Sequence, residues 1–115
     1  MNEVEKMYEN AGIEKVYEYV GHYPKTDENG IILPMVYPPF TAEKQIELIK
    51  WFVTNNAELE TLEITYYLND CFQISSCTKS SHFETNFDDA LAGLINNLWQ
   101  DLTDAERTQI KETLE

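Results

Sequence analysis

The spacing of apolar residues drops to a period of two over one stretch of this chain, and that stretch limits the folds open to it. Between residues 62 and 76 apolar and polar positions alternate: Leu62, Ile64, Tyr66 and Leu68 are separated by Glu63, Thr65 and Tyr67, and Phe72 and Ile74 by Gln73. A repeat of two is that of paired strands. From Phe87 the repeat lengthens to three or four, placing Phe87, Leu91, Leu94, Leu98 and Leu102 on one side of a helix. Strands segregated from helices give an α+β class rather than an alternating α/β one. A length of 115 residues supports one core. The expected architecture is a single α+β domain over residues 1–115, with three to four helices packed on a β-hairpin or small antiparallel sheet.

Local signals place the elements. Val4, Met7, Tyr8 and Ala11 form a first helical stripe that Gly12 is suited to end. Pro38-Pro39 blocks backward growth of a second helix, and Thr41 caps it. Its expected buried stripe is Ala42, Ile46, Ile49 and Val53, widened by Leu48 and Phe52, with Glu43, Lys44, Glu47 and Lys50 in solvent. Asn86 caps the third helix, and Thr103-Asp104-Ala105-Glu106 is a capping box that opens a terminal helix carrying Ile110 and Leu114. Residues 13–23 suit either period and are read as helix through Tyr19. Residues 25–30 end in Asn29-Gly30 and form a surface loop or hairpin tip, and Leu33–Phe40 is an extended connector. In the hairpin, the loop Asn69-Asp70-Cys71 pairs Leu68 with Phe72 and Tyr66 with Ile74, which keeps apolar residues opposite one another.

Charge narrows function. The chain holds 21 acids against 8 bases, a net charge of −13, which opposes direct contact with phosphate backbones. Residues 51–106 carry ten acids and one base, Lys79. The charged start and the lack of a long apolar run predict no export signal and no membrane span, hence a cytoplasmic protein with Cys71 and Cys77 reduced.

Residue patterns for chemistry are weak. His22 and His82 lie in separate segments, Cys71 and Cys77 are too widely spaced for a zinc pair, and acids around Cys71 oppose a reactive thiolate. Asp27-Glu28-Asn29-Gly30 lacks the later bidentate Glu of a calcium loop, and the four glycines are isolated. No catalytic residue, metal site or cofactor is therefore expected, and the class read from the sequence is a non-enzymatic protein-binding module. A small-molecule or metal-binding domain and an oligomerising structural subunit are the rival classes.

Three segments carry a resemblance: Glu3-Val4-Glu5-Lys6-Met7-Tyr8, Tyr37-Pro38-Pro39-Phe40-Thr41-Ala42-Glu43-Lys44-Gln45, and Leu98-Trp99-Gln100-Asp101-Leu102-Thr103. The chain resembles small acidic accessory proteins of Gram-positive phages and prophages. That resemblance implies a protein of the bacterial host as partner, with no functional residue to transfer. Two surfaces are candidates for the contact. One is an acidic face of Glu58, Glu60, Glu63, Asp70, Glu84, Asp88 and Asp89, suited to a basic nucleic-acid-binding protein as a charge mimic, the mode of some anti-CRISPR inhibitors. The other is an aromatic surface of Tyr17, Tyr19, Tyr37 and Trp51, residue types that dominate interface hot spots.

Overall fold

The structure, a computed structural model, describes residues 2–55, 62–67, 71–76, 79–82 and 84–115. It is an α+β arrangement of four helices and two small antiparallel sheets of two strands each. Helix α1 spans Glu3–Asn10, β1 Tyr19–Val20, β2 Tyr23–Pro24, α2 Ala42–Asn55, β3 Glu63–Tyr67, β4 Cys71–Ser75, α3 Phe87–Leu98 and α4 Asp104–Leu114, with a 3-10 turn at Trp99–Asp101.

Helix α3 is the centre of the core. Ala90, Leu91, Ala92, Gly93, Leu94, Ile95 and Leu98 are all buried, so burial runs beyond one stripe to nearly the whole circumference. Its first turn is fixed as the sequence predicts: the Asn86 side chain accepts from Asp89 N–H at 2.9 Å. Helix α1 lays Met7, Tyr8 and Ala11 against it, and Gly12 at φ 73° takes the left-handed conformation that ends α1 without a Cβ clash. Strand β4 packs on α3 through Ile74, while α4 packs on α2 and adds Ile110 and Leu114 to the same core. The capping box of α4 is complete: Thr103 Oγ1 accepts from Glu106 N–H, and the Glu106 carboxylate accepts from Thr103 N–H at 2.9 Å.

Three expectations are corrected. Residues 13–23 are extended rather than helical. Val16 exchanges two backbone hydrogen bonds of 2.8 Å with Val36, and β1 pairs with β2 across Gly21-His22, where Gly21 at φ 65° makes the tight turn. Helix α2 is rotated from the expected face: Gln45, Leu48 and Phe52 are buried, whereas Ile46 and Val53 are exposed. Gln45 sets that rotation by donating through Nε2 to Phe40 C=O and to the Asp88 carboxylate, both at 2.9 Å. Lys44, expected in solvent, reaches Leu114 C=O at 2.8 Å and ties α2 to the end of α4. Finally, the β3–β4 register is shifted by two: Tyr66 pairs with Phe72, Ile64 with Ile74 and Tyr67 with Cys71. The shift keeps every side chain on its expected face but moves Cys71 out of the loop into the strand. Cys77 lies outside the described residues, as do Leu68, Asn69 and Asp70.

A radius of gyration of 16.0 Å and extents of 50 × 37 × 22 Å describe an elongated molecule, against roughly 13 Å for a compact chain of this length. Residues 13–37 carry no helix and form an arm whose base is closed by backbone bonds between Val16 and Val36.

Candidate functional site

The arm folds from local rules. Val16–Val36 bonding closes its base, the β1–β2 turn makes one reversal, and Asp27 makes the other by accepting from Asn29 and Ile31 N–H at 2.9 and 3.0 Å. A bridge between Thr26 and Ile32 completes that second reversal. No residue from 14 to 36 is buried. The arm is nevertheless apolar: of fourteen exposed large hydrophobic side chains among the described residues, nine lie between Val16 and Val36, with Tyr23 the most exposed at 78% and Val20 at 66%. Isolated exposed hydrophobics are ordinary, but a run of this density on one segment is not.

Only part of the expected aromatic surface belongs to it. Tyr17 and Tyr19 are exposed on the arm. Tyr37 instead stacks on buried Tyr8 with ring centroids 5.4 Å apart, and Trp51 packs edge-on against Phe52 at 5.0 Å, so both support the core. The residues missed by sequence reasoning are the aliphatic ones, chiefly Val16, Val20, Ile31 and Ile32. Their signal was present in the sequence as apolar positions beside turn glycines, Val16 and Val20 between Gly12 and Gly21, and Ile31 and Ile32 directly after Gly30.

Four residues of the expected acidic face, Glu63, Glu84, Asp88 and Asp89, fall among the described residues. Glu58, Glu60 and Asp70 lie outside the described residues. Glu63 is exposed on β3, while Glu84 bonds through its backbone to Phe72 along the opposite edge of β4. Burial, with Asp89 and Glu3 nearby, pushes the Glu84 carboxyl above the usual range, and His82 opposes that shift. Asp88 and Asp89 sit in the first turn of α3, and both are engaged internally: Asp88 accepts from Gln45, and Asp89 accepts from Asn86 Nδ2 at 2.9 Å and from Val4 N–H at 3.4 Å.

Where the arm meets the helices there is a cleft of about 470 Å³. Its aromatic wall comprises Tyr8, Tyr37 and Phe40, and its polar rim comprises Glu5, Asp88, Asp89 and Lys15. Tyr8 is wholly buried, packed between Tyr37 and an edge-on Phe40 at 6.4 Å. Its hydroxyl has no hydrogen-bond partner among the described residues. Lys15, on the arm, holds its ammonium 5.2 Å above the Tyr37 ring centroid. Among the described residues no group of three or more His, Cys, Asp or Glu side chains is placed to hold a metal ion, and no helix is long and apolar enough to cross a membrane.

Burial pushes the Tyr8 hydroxyl pKa up to about 12 from 10.0. Between those values the unfolded chain releases a proton that the folded chain retains. Stability from this group is therefore complete below pH 10 and is lost as pH rises towards 12. Tyr8→Phe is expected to remove that alkaline slope and, because an unpartnered buried hydroxyl costs free energy, to stabilise the fold at neutral pH by about 1 kcal/mol. Urea titrations of both proteins at neutral and alkaline pH measure each effect; a destabilised variant at neutral pH would mean that the hydroxyl is satisfied in solution.

No protein-family model, curated protein or solved structure matches the chain.

Proposed function

We propose that the chain is a non-enzymatic protein-binding module that docks through the apolar arm of residues 13–37. The observation that carries this reading is the concentration of exposed apolar side chains on a segment held out from the core by turns and a few backbone bonds. A cluster of Tyr17, Tyr19 and Tyr23 supplies large contact area at low side-chain entropy cost, the property that makes tyrosine frequent at hot spots.

Charge selects the partner. Two copies of this chain each carry −13, so self-association through the arm works against their mutual repulsion. A partner with an apolar patch inside a basic rim instead gains attraction over the whole approach. Proteins that bind nucleic acid have such basic surfaces, and a phage-encoded inhibitor of a bacterial host protein is the biological setting that the sequence resemblance suggests. In this reading the acids steer the encounter and the arm holds the complex.

The test is capture from a Gram-positive bacterial lysate with three immobilised proteins: the wild type, an arm variant with Tyr19, Val20 and Tyr23 replaced by Ser, and a variant with Glu63 and Glu84 replaced by Gln. The expected result is one basic protein retained by the first and third and lost by the second. Equal retention by the arm variant would remove the arm from the interface.

A further inference from the structure

The cleft at the base of the arm has features that the arm's docking role does not require. Its wall is aromatic, with the parallel Tyr8–Tyr37 pair at 9° between planes and Phe40 across it. Its rim holds three carboxylates, Glu5, Asp88 and Asp89, against one ammonium, Lys15. The N-termini of α1 and α3 also face it, each worth about half a positive charge, so the local balance is close to −1. Each cap takes one N–H group of its helix end, Asn2 accepting from Glu5 N–H at 2.8 Å and Asn86 from Asp89 N–H at 2.9 Å, and the three carboxylates outweigh what remains of both helix ends together with Lys15.

Two further observations indicate what fits. The first is Tyr8, which lines the cleft and whose hydroxyl is wholly buried with no partner among the described residues; that arrangement costs stability, and an occupant supplies the missing bond only by shifting the aromatic wall enough to uncover it. The second is Lys15. It forms no ion pair among the described residues and instead rests over the Tyr37 face, so a cation from this chain already lies against the aromatic wall. A guanidinium is planar, more weakly hydrated than an ammonium and stacks on aromatic rings, so it is the better occupant of that wall.

We infer that the cleft is a receptor for an arginine side chain of the protein partner, whose guanidinium displaces Lys15 from Tyr37 and faces Glu5 and Asp88. This inference rests on the proposed docking role: Lys15, Met35 and Val36 belong to both the cleft and the arm, so a partner seated on the arm presents its rim to the cleft. A volume of about 470 Å³ falls within the usual range of ligand sites and accommodates one long side chain. Displacement makes Lys15 an internal competitor, and the carboxylates are then shared between it and the incoming group.

The isolated protein tests this without any partner. The probe is N-acetyl-arginine methylamide, titrated into labelled protein and followed by amide chemical shifts, with the citrulline analogue as a neutral isostere. The expected result is saturable shifts at the cleft residues with about millimolar affinity, and at least about tenfold weaker binding of the citrulline compound. Lys15→Gln should tighten arginine binding about threefold or more by removing the competitor and one like charge, whereas Glu5→Gln should weaken it by a similar factor. Tyr8→Phe should weaken binding while raising stability, a combination that a purely structural Tyr8 does not produce. Absence of saturable shifts, equal binding of the citrulline analogue, or unchanged affinity in Lys15→Gln would overturn the inference. Each of those results leaves the arm reading standing, because capture by the arm is measured separately.

Discussion

Leu94→Ala is expected to cost about 2–5 kcal/mol of folding stability, and Glu47→Ala under roughly 0.5. Leu94 is wholly buried on α3, where the helix is enclosed by α1 on one side and β4 on another. Truncation there leaves a void that its neighbours cannot fill by moving inward, because Ala90, Leu91, Ile95 and Leu98 on the same helix are already packed at the same depth. The cost is thus the lost transfer free energy of the side chain plus that of the residual cavity. Glu47 is exposed and, among the described residues, makes a surface ion pair of 3.8 Å with Lys50, a pair worth little in water. Urea unfolding measures both. The midpoint should fall for Leu94→Ala with an unchanged slope, and equal midpoints for the two variants would mean that α3 is not the centre of the core.

How far the fold could be read from the sequence depended on how many independent signals agreed at each element. At α3 and α4 the stripe, the caps and the first-turn acids all point one way, and the structure keeps both caps and buries Leu91, Leu94, Leu98, Ile110 and Leu114, although α3 ends before Leu102 and burial extends to Ala92 and Gly93. At α2 the cap was legible but the rotation was not: apolar residues occupy more than one side, and the choice of Leu48 and Phe52 over Ile46 and Val53 depends on bonds from Gln45 to Phe40 and Asp88, which are distant in sequence or lie outside the helix. Alternation in the hairpin fixed which side chains share a face, yet two registers that differ by two residues satisfy that pattern equally, so pairing could not be settled by parity. Residues 13–23 were misread because Tyr17, Tyr19 and Tyr23 suit both periods. The deciding contact, Val16 with Val36, comes from a connector twenty residues away, beyond the reach of local propensity.

The candidate site was legible to the same uneven degree. Tyr17 and Tyr19 could be named from composition alone, while Tyr37 and Trp51 could not be told from them, because an aromatic beside a proline-rich segment packs inward or outward according to tertiary neighbours. Tyr37 turns inward because Tyr8 offers a ring to stack on. The cleft had no sequence signature at all, since Glu5, Lys15, Tyr37 and Asp88 come from four separate segments.

With the partner in hand, truncating the arm should weaken binding far more than reversing charge away from it. Tyr19→Ala combined with Tyr23→Ala is expected to lower affinity by roughly 100-fold or more, since each removes a large exposed aromatic of the kind that forms hot spots, and a tenfold loss corresponds to only about 1.4 kcal/mol. Stability should stay within roughly 0.5 kcal/mol of the wild type, because neither side chain is buried at 61% and 78% exposure. Glu63→Lys with Glu84→Lys changes the net charge from −13 to −9 and should cost less than about tenfold, chiefly in the association rate. Salt discriminates in the same way. A complex held by the arm and steered by charge associates more slowly as ionic strength rises, while its dissociation rate is nearly constant, because screening acts over about 10 Å at 0.1 M and leaves desolvated apolar contacts untouched. The opposite pattern, with dissociation accelerated by salt and affinity lost on charge reversal but kept on aromatic truncation, would move the interface from the arm to the acidic face.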